Sequence, residues 1–506
     1  MERLRSLSSH LSAEVQPAAA RPVSDPSGSA AITSVTTRDV RFALPLGDGT
    51  DSVHSLGGRI YYGYGVTVLH TGGGDGPSGH GLGFTLGAGT DMVCSAIEHL
   101  TASGLLVGRP IEDLMADFGR TFNQLAEHPA LRWLGPHNGV IHLALASIAN
   151  ACFDLWAKAR SQVGTLAQLQ RRQRTTHISS PGRARVYGSE LQGLLQPLWE
   201  LLLSLTDEQL VSLLDLSYID DVMPREAALS MLATERPHRA ARAAAVLDRG
   251  IPGYDTSAGW MDCTDEEIVE RSRGASAAGF RAVKLKVGGL TPGSESHDLH
   301  RLRLVHGAVG DKIRVAFDAN QQWSVAQAQK VVGLLAEIVD PLFVEEPTHP
   351  HDVSAHAAIA AAISPIPVAV GESIPNRVVF KNFMQAGAVQ VCQIDPTRLG
   401  GVGEALSCAM MAKHFKLRVI PHVGDMGQLS QHLCLVYHIA LGHELGFLEY
   451  IPHLREYFVS PAVVEAGRYV VPRAAGASTE IVSAATALTI TADTEMFEGA
   501  TELGDQ

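Results

Sequence analysis

The sequence lacks the cysteine pattern of a disulfide-rich or zinc-binding protein. Its six cysteines are scattered through 506 residues without a CxxC pair, so we predict reduced thiols in an intracellular protein. It also lacks an uninterrupted apolar run of about 18 residues, the length of a membrane-spanning helix. The net charge is -13 and no long basic run is present, which argues against a nucleic-acid or anionic-membrane partner. What remains is an ordinary globular composition in a chain long enough for two or more domains, or for one large barrel with additions.

Both ends of the chain are predicted to be tails. Residues 1–33 are rich in Ser, Ala, Pro and Arg, and residues 476–506 follow the last predicted strand. Three arginines among the N-terminal serines are typical of a mitochondrial transit peptide, whereas two glutamates in the same stretch argue against one. We therefore expect a cytoplasmic protein, with a mitochondrial address as the alternative.

Residues 34–160 are predicted to form an α+β domain. The stretch 37–85 alternates apolar segments with glycine-rich turns, which is typical of a small antiparallel sheet. The stretch 92–160 is predicted to be helical, because it carries apolar residues at helical spacing: Ile141, Leu145, Ile148, Cys152 and Leu155.

Residues 161–197 interrupt this organisation. They include a basic, glutamine-rich stretch without periodicity, and a structureless loop of this length is uncommon in a compact domain. Two interpretations stay open: a surface insertion, or a gene-model error that adds a translated intron. Peptide mapping of the natural protein would remove the second if it detected these residues.

Residues 198–446 are predicted to form a barrel, and residues 447–475 its last strand and the return to the first domain. From about residue 250, short apolar runs alternate with amphipathic segments, which indicates βαβ units and a parallel sheet. A polar residue stands near the end of each run, at intervals of 32, 27, 27, 23, 27 and 27 residues: Lys286, Asp318, Glu345, Glu372, Asp395, His422 and Glu449. Together with DTSAGW near 255–260, these seven runs predict a (β/α)8-type barrel, whose chemistry lies at the C-terminal strand ends.

Three consecutive strands end in the carboxylates Asp318, Glu345 and Glu372. One such carboxylate alone more often pairs with a lysine or caps the next helix. Three at one rim offer the hard oxygen ligands that Mg²⁺ prefers. We therefore predict one Mg²⁺ per subunit, held by these three side chains.

The run PLFVEEP ends in two adjacent glutamates. Successive side chains on a strand point to opposite faces, so the two carboxylates cannot point the same way. We expect Glu345 to face the barrel mouth. We expect Glu346 to point away, or sideways to Lys284 or Lys286 as a supporting ion-pair partner.

The run KLK places Lys284 and Lys286 on the same side of one strand. Burial and a nearby metal should lower the pKa of such a lysine, which would suit a general base near neutral pH. The alternative is a pair of solvated or salt-bridged lysines, which the apolar run AVKLKV makes less favourable.

Asp395 and His422 end two successive strands across the barrel from the lysines. A carboxylate bonded to one imidazole nitrogen fixes the tautomer and raises the basicity of the other, so we predict a His–Asp dyad rather than a core histidine bonded to a backbone carbonyl. Glu449 ends the last strand. It is expected to bind a substrate hydroxyl or carboxylate, or else to pair with Arg455.

These parts together indicate one reaction type. A metal binds a substrate carboxylate, a lysine removes the proton from the adjacent carbon, and nearby cations hold the resulting enediolate. The dyad then either returns a proton, giving racemisation, or protonates a leaving hydroxyl, giving dehydration.

The sequence resembles the enolase superfamily, in the mandelate racemase-like subgroup, and most closely the L-fuconate dehydratases. The resemblance covers roughly residues 35–160 and 197–475. It is carried by RDVRF (38–42), SAGW (257–260), KLKVG (284–288), DANQQW (318–323), EEPTHPHD (345–352), NRVVFKNFMQAGA (376–388), QIDPTRLGGVGE (393–404) and LEYIPHLREYF (448–458).

The resemblance implies an α+β capping domain closing a modified (β/α)7β barrel, bound Mg²⁺, and an acid-sugar substrate such as L-fuconate. It implies Lys286 as the base at C2 with Lys284 beside it. It implies His422, oriented by Asp395, as the acid that expels the C3 hydroxyl to give a 2-keto-3-deoxy acid. Substrate contacts are expected from Lys284, His422, Gly49, Thr50, Asp51, Asn320, Val423, Gly424 and Glu449. A homo-oligomer is also expected.

Three stretches depart from the family pattern: GES at 371–373, PHVGD at 421–425 and HSLGGRIYYGYG at 54–65. These departures concern substrate recognition more than the metal, the base and the acid. Two alternatives therefore stay open. One is a racemase, or a dehydratase of another aldonate; the other is a non-catalytic relative with a binding or regulatory role.

Overall fold

A computed structural model describes residues 30–45, 48–51, 53–54, 60–72, 76–135, 137–161, 195–289, 294–423 and 426–482. Most of the two predicted tails, most of the predicted insertion and Gly424 lie outside these residues.

The described chain begins with a three-stranded antiparallel sheet in the order β1 (Ile32–Ala43), β2 (Tyr61–Thr71) and β3 (Gly79–Thr85). This sheet confirms the prediction for residues 37–85. The N-terminal tail was predicted to extend too far, because Ile32 already lies in β1 and its N–H bonds to the carbonyl of Arg109 at 3.0 Å.

Five helices follow this sheet in the described residues: α1 (Thr90–Thr101), α2 (Ile111–Ala116), α3 (Phe118–Ala126), α4 (Pro129–Arg132) and α5 (Val140–Arg160). Helices α1 and α5 pack on the sheet, and α2 and α3 pack on α5. The long helix α5 lies directly on β3, where glycines alternate. A Cβ atom added at Gly81 would lie 1.9 Å from the carbonyl oxygen of Ser147, so the close approach depends on glycine. By length and composition α5 could cross a membrane; its burial against the sheet accounts for that apolar composition.

In the described part of the connection between this domain and the barrel lie four helices: α6 (Leu198–Ser204), α7 (Asp207–Ser212), α8 (Arg225–Glu235) and α9 (Arg239–Arg249). A capping box starts α7, since the Thr206 hydroxyl accepts from the Gln209 N–H and the Gln209 side chain accepts from the Thr206 N–H.

Eight strands then form the barrel: β4 (Ile251–Asp255), β5 (Ala282–Lys286), β6 (Arg314–Asp318), β7 (Pro341–Glu345), β8 (Val368–Val370), β9 (Val391–Cys392), β10 (Arg418–Val419) and β11 (Leu448–Tyr450). Parallel pairing runs in chain order from β4 to β10, and β11 pairs in parallel with β4, which returns the last strand to the first. The predicted capped (β/α)7β barrel is therefore confirmed.

Seven helices follow the barrel strands: α10 (Asp265–Ala277), α11 (Ser294–Val309), α12 (Val325–Ala336), α13 (Val353–Ile363), α14 (Arg377–Gln385), α15 (Val402–His414) and α16 (Leu429–Ile439). Short 3₁₀ turns lie at Arg236–His238, Ser257–Gly259, Gly310–Lys312 and Pro452–Tyr457. A fully buried ion triad ties the outer helices to the chain before the barrel. The guanidinium of Arg377, at the start of α14, contacts Asp215 at 2.6 Å and Glu404 of α15 at 2.8 Å.

The chain ends by returning to the first domain. After the hairpin β12 (Val464–Glu465) and β13 (Arg468–Tyr469), the backbone N–H of Ala477 donates to the carboxylate of Asp154 in α5 at 2.7 Å. The predicted boundary of the C-terminal tail at residue 476 was therefore placed too early, because residues 476–482 pack on the rest of the molecule.

Candidate active site

Strand register brings the predicted site residues to one level of the barrel. Lys286 pairs with Asp318 across β5 and β6, and Asp318 pairs with Glu345 across β6 and β7. Neighbouring parallel strands end at the same rim, so three functional side chains from separate parts of the sequence become direct neighbours.

Both predicted lysines are buried and paired with carboxylates. The ammonium of Lys284 lies 3.0 Å from both carboxylate oxygens of Glu345 and 2.6 Å from Glu449. The ammonium of Lys286 lies 2.5 Å from Asp318, and it sits 5.5 Å from the centre of the Trp260 ring. As predicted, the two lysines lie on the same side of one strand, since both ammonium groups approach Asp318.

The predicted lowering of the lysine pKa values supposed a bound metal ion and stays a prediction; the carboxylates of this arrangement act in the opposite direction. Burial lowers the pKa of Lys286, but the carboxylates of Asp318, Asp51 and Glu372 together outweigh burial and raise the pKa above its ordinary value. The pKa of Lys284 is also raised, because Glu345, Glu449 and Asp318 together outweigh burial. Both lysines are therefore cations as they stand.

The carboxylates crowd one another. Burial and the neighbouring Asp318 raise the pKa of Glu345 to about 8. Glu372, which follows β8, is different: burial would raise its pKa, but its contact with His422 lowers it below the ordinary value.

Glu346 does not contact either lysine, which corrects the predicted supporting ion pair. Its backbone φ is +40°, and this left-handed turn carries the side chain out of the strand's alternation. The carboxylate then accepts a hydrogen bond from the side-chain amide of Gln321 at 2.8 Å, and the same amide donates to the hydroxyl of Ser373 at 3.0 Å. Burial and the nearby Glu372 raise the pKa of Glu346.

The predicted His–Asp pair is formed. Nδ1 of His422 lies 2.7 Å from Asp395, and the other oxygen of Asp395 accepts from the N–H and hydroxyl of Thr397, each at 2.7 Å. Nε2 of His422 lies 2.7 Å from Glu372. Burial lowers the pKa of His422, but Glu372, Glu449 and the bond to Asp395 raise it above its ordinary value.

Glu449 pairs with Lys284 rather than with Arg455, so its suggested bridge to Arg455 is not formed. It also accepts from the Thr256 hydroxyl at 2.6 Å and from the Val423 N–H at 3.0 Å. Burial would raise the pKa of Glu449, but Lys284 and His422 lower it.

A cavity of about 340 Å³ lies between the barrel mouth and the first domain. Its lining includes most of the predicted substrate-contacting residues, namely Gly49, Asp51, Lys284, Asn320, His422 and Glu449, together with the predicted base Lys286 and the predicted metal ligand Glu372. Two predicted contacts lie elsewhere. Thr50 is buried and accepts from the N–H of Asp262 at 3.1 Å, so it docks the loop on the barrel. Val423 uses its backbone to hold Glu449, and Gly424 is outside the described residues.

Several lining residues were not predicted as site residues: His54, Tyr62, Thr256, Trp260 and Arg398. His54 is held by Asp51, whose carboxylate lies 2.9 Å from its Nδ1. Trp260 and Arg398 fall inside the motifs SAGW and QIDPTRLGG, so their positions directly after strands were the available signal. Tyr62 lies on β2, where the sequence offers three nearby tyrosines and no means to choose among them.

The donor set suits a divalent cation by type and charge. Six buried or largely buried carboxylates surround the mouth: Asp318, Glu345, Glu346, Glu372, Asp395 and Glu449. The cationic side chains in contact with them are Lys284, Lys286 and His422. Within the described ranges, however, no three His, Cys, Asp or Glu side chains are arranged to hold a metal ion as they stand. Each predicted ligand instead contacts a lysine or His422. Binding of Mg²⁺ would require these carboxylates to exchange that contact for the metal.

Comparison with known proteins gives relatives that span nearly the whole chain. A family profile described as Enolase C-terminal domain-like matches residues 267–485. L-galactonate dehydratase from Hypocrea jecorina is 37% identical over 458 residues, covering 89% of this chain and 92% of that protein. Human mitochondrial enolase superfamily member 1 is 34% identical over 457 residues, covering 89% and 93%.

Solved structures agree with these relationships. The crystal structure of the human mitochondrial protein has a TM-score of 0.79 and 33% identity, covering 90% of this chain and 96% of that one. L-talarate dehydratase from Polaromonas sp. JS666, complexed with Mg and L-glucarate, has a TM-score of 0.63 and 21% identity, covering 91% and 97%. At that identity the likeness shows the fold alone.

Proposed function

The chain belongs to the enolase superfamily, and we propose that it is a Mg²⁺-dependent hydro-lyase that converts an acid sugar to a 2-keto-3-deoxy acid. The observation that carries this proposal is the presence of two proton-transfer groups in the lining of one cavity. Lys286 and the Asp395-bound His422 both line it, and they come from strands on different sides of the barrel.

For the substrate we propose an aldonate of the L-galactonate series. The fungal relative is named for L-galactonate, whereas the sequence motifs resemble L-fuconate dehydratases. L-fuconate is the 6-deoxy form of L-galactonate, so the two acids share the configuration at every carbon that reacts. One cavity can therefore accept both, and the preference between them depends on contacts at C6.

Lys286 is proposed as the base. Its amine, once neutral, takes the proton from C2, and the electrons of the C–H bond form an enediolate with the carboxylate. Lys284 lies two residues earlier on the same face and offers a fixed positive charge to that carboxylate. Preorganised charge of this kind stabilises the transition state because it needs no reorganisation during the reaction.

His422 is proposed as the acid. Asp395 accepts from Nδ1, so the transferable proton lies on Nε2. As the C3–O bond breaks, Nε2 gives this proton to the departing hydroxyl, which leaves as water. The resulting enol then gains a proton at C3 and becomes the 2-keto-3-deoxy acid.

Asp318, Glu345 and Glu372 are proposed to hold Mg²⁺. When bound, the ion would stabilise negative charge on the substrate carboxylate and take over carboxylate charge that now raises the lysine pKa values. We propose further that the protein is a homo-oligomer and that it acts in the cytoplasm or the mitochondrion; the second location is supported by relatives named mitochondrial enolase superfamily member 1.

The test is product formation from matched acid sugars. Purified protein with MgCl₂ is given L-galactonate, L-fuconate and, as the mirror-image control, D-galactonate, and 2-keto-3-deoxy acid is measured by semicarbazone absorbance and NMR. Lys286→Ala should reduce turnover by about 10²–10⁴-fold. Lys330→Ala is the matched control, because that lysine is 61% exposed and pairs with Glu295; it should leave turnover unchanged.

His422→Asn separates the alternatives. In D₂O it should block product formation while C2 proton exchange continues. Deuterium gained at C2 by the unmodified enzyme with its hydroxyl retained would instead indicate a racemase. Mg²⁺ bound without turnover of any acid sugar would indicate a non-catalytic relative.

A calorimetric titration tests the ligand assignment. Loss of Mg²⁺ binding in Glu345→Gln but not in Glu346→Gln is expected, because only Glu345 is in register with Asp318. The reverse result would contradict the assignment.

A further inference from the structure

The barrel has a second cavity at the opposite end from the proposed active site. It measures about 580 Å³ and is lined by the N-terminal ends of several barrel strands. Arg314 is the first residue of β6 and Asp318 the last. Four steps along a strand span about 13 Å, so the two cavities open at opposite ends of one barrel.

The lining of this cavity is strongly cationic. Six of its seventeen lining residues are arginine or lysine and one, Glu444, is acidic: the cations are Arg281, Arg314, Lys413, Lys416, Arg418 and Arg468. The charge of this lining is opposite in sign to that of the whole chain, whose net charge is -13. Repulsion among like charges destabilises the folded state, so we expect an anion to bind among these cations.

Some of these cations have internal partners. Lys413 contacts Glu235 at 3.3 Å, and the guanidinium of Arg468 donates to the carbonyls of Arg249 and Gly250. Arg314 lies 3.5 Å from the exposed Asp340.

Two other arginines have no direct partner. Within the described part of the chain, neither the exposed Arg281 nor the half-buried Arg418 forms an ion pair or a side-chain hydrogen bond. Burial and the nearby guanidinium of Arg314 lower the pKa of Arg418, and Glu444 offsets them only in part. Arg418 therefore lies beside another cation without a carboxylate in direct contact.

The floor of the cavity is apolar. Leu342 and Ile420 belong to the packed interior of the barrel, and Phe447 packs against the same cluster. An arginine rim above an apolar floor matches a ligand with two or more anionic groups and a flat or apolar body, because guanidinium groups bind phosphate and carboxylate oxygens in pairs. The volume is that of an ordinary small-molecule site.

We propose that this cavity binds a small organic polyanion carrying phosphate groups, with Arg281 and Arg418 as the principal anion contacts. The site is separate from the proposed catalytic centre, and it does not depend on the proposed function.

The test uses inorganic pyrophosphate and ADP as probes on the full-length protein at constant ionic strength. Isothermal titration should show binding of both, and ADP should bind more tightly because its base can cover the apolar floor. Arg281→Met and Arg418→Met should each weaken binding about tenfold to a hundredfold. Arg273→Met, an exposed arginine on α10, is the matched control and should change nothing.

Thermal unfolding without probe supplies the second readout. Because Arg418 lies beside Arg314, Arg418→Met should leave the melting temperature unchanged or raise it, which also shows that the variant folds. Absence of pyrophosphate and ADP binding to the unmodified protein would overturn the proposal. Equal binding by the unmodified protein, Arg418→Met and Arg273→Met would overturn it as well.

Discussion

The first prediction concerns Arg301, which is fully buried on α11. Its guanidinium donates to the carbonyls of Lys286 and Trp260, each at 2.6 Å, and of Gly259 at 3.1 Å. One side chain therefore ties the end of β5, where the proposed base lies, to the turn after β4. It also fixes the backbone of Trp260, whose ring faces the Lys286 ammonium.

Arg301→Met should lower both stability and turnover. All three carbonyls lose the Arg301 donor, but the Trp260 carbonyl keeps the hydrogen bond from the Cys263 N–H at 3.2 Å, so we count the loss at the other two. Each lost bond of this kind costs about 1–3 kcal/mol. The sum of about 2–6 kcal/mol is reduced because the variant no longer buries a guanidinium, and we expect a net loss of about 3 kcal/mol.

The same change should act on kcat more than on KM. Arg301 lies outside the cavity lining, so it positions the base rather than binding substrate. A displacement of about 1 Å in a reacting group costs roughly 10²-fold in rate, so we expect kcat to fall about 10–100-fold. Arg301→Lys, which keeps the charge with fewer donors, should show an intermediate loss.

The assays are urea unfolding and steady-state kinetics with the acid sugar that the screen identifies. Arg303→Met is the control, because Arg303 is exposed on the same helix. Two results together would contradict the role given to these hydrogen bonds. One is a free energy of unfolding for Arg301→Met within about 1 kcal/mol of the unmodified protein's value, judged against the uncertainty of such titrations. The other is an unchanged kcat.

Three further predictions follow from the same structure. Asp395→Asn removes a cause of the raised pKa of His422, so the alkaline limb of the kcat profile, where the imidazolium loses its proton, should move to lower pH; an unchanged limb would exclude His422 as the acid. Arg377→Met leaves Asp215 and Glu404 buried without their partner, which should cost about 3–5 kcal/mol in urea unfolding; a loss below 1 kcal/mol would show that water or another cation replaces the guanidinium. Chelation with EDTA should abolish turnover, and Mg²⁺ should restore it; turnover that persists in EDTA would contradict the metal assignment.

Much of the barrel and its rim was predictable because parallel strands impose one rule. Regular spacing of Asp318, Glu345 and Glu372 indicated successive strands, and the common rim of those strands indicated that the side chains converge. The pairing of Asp395 with His422 followed from the same rule. None of these inferences required knowledge of loops.

Features that depend on local backbone or on helices were not predictable in this way. The turn at Glu346 has a left-handed backbone, so alternation along the strand gave the wrong partner for that carboxylate. Arg301 lies on a helix, so the pattern of polar residues at strand ends could not identify it. Thr50 was grouped with its neighbours Gly49 and Asp51, yet its side chain docks the loop instead of lining the cavity.

The lysine pKa values show how the charges of this site depend on one another. Burial and a bound metal both lower the pKa of a lysine. The strand register has the opposite effect, because it sets Asp318 directly beside Lys286 and so raises that pKa. A metal held by Asp318 and Glu345 would compete for the same negative charge that now holds the proton on each lysine. The predicted base and the predicted metal ligands are therefore one electrostatic unit, and the proton affinity of Lys286 is set by what occupies its carboxylate neighbours.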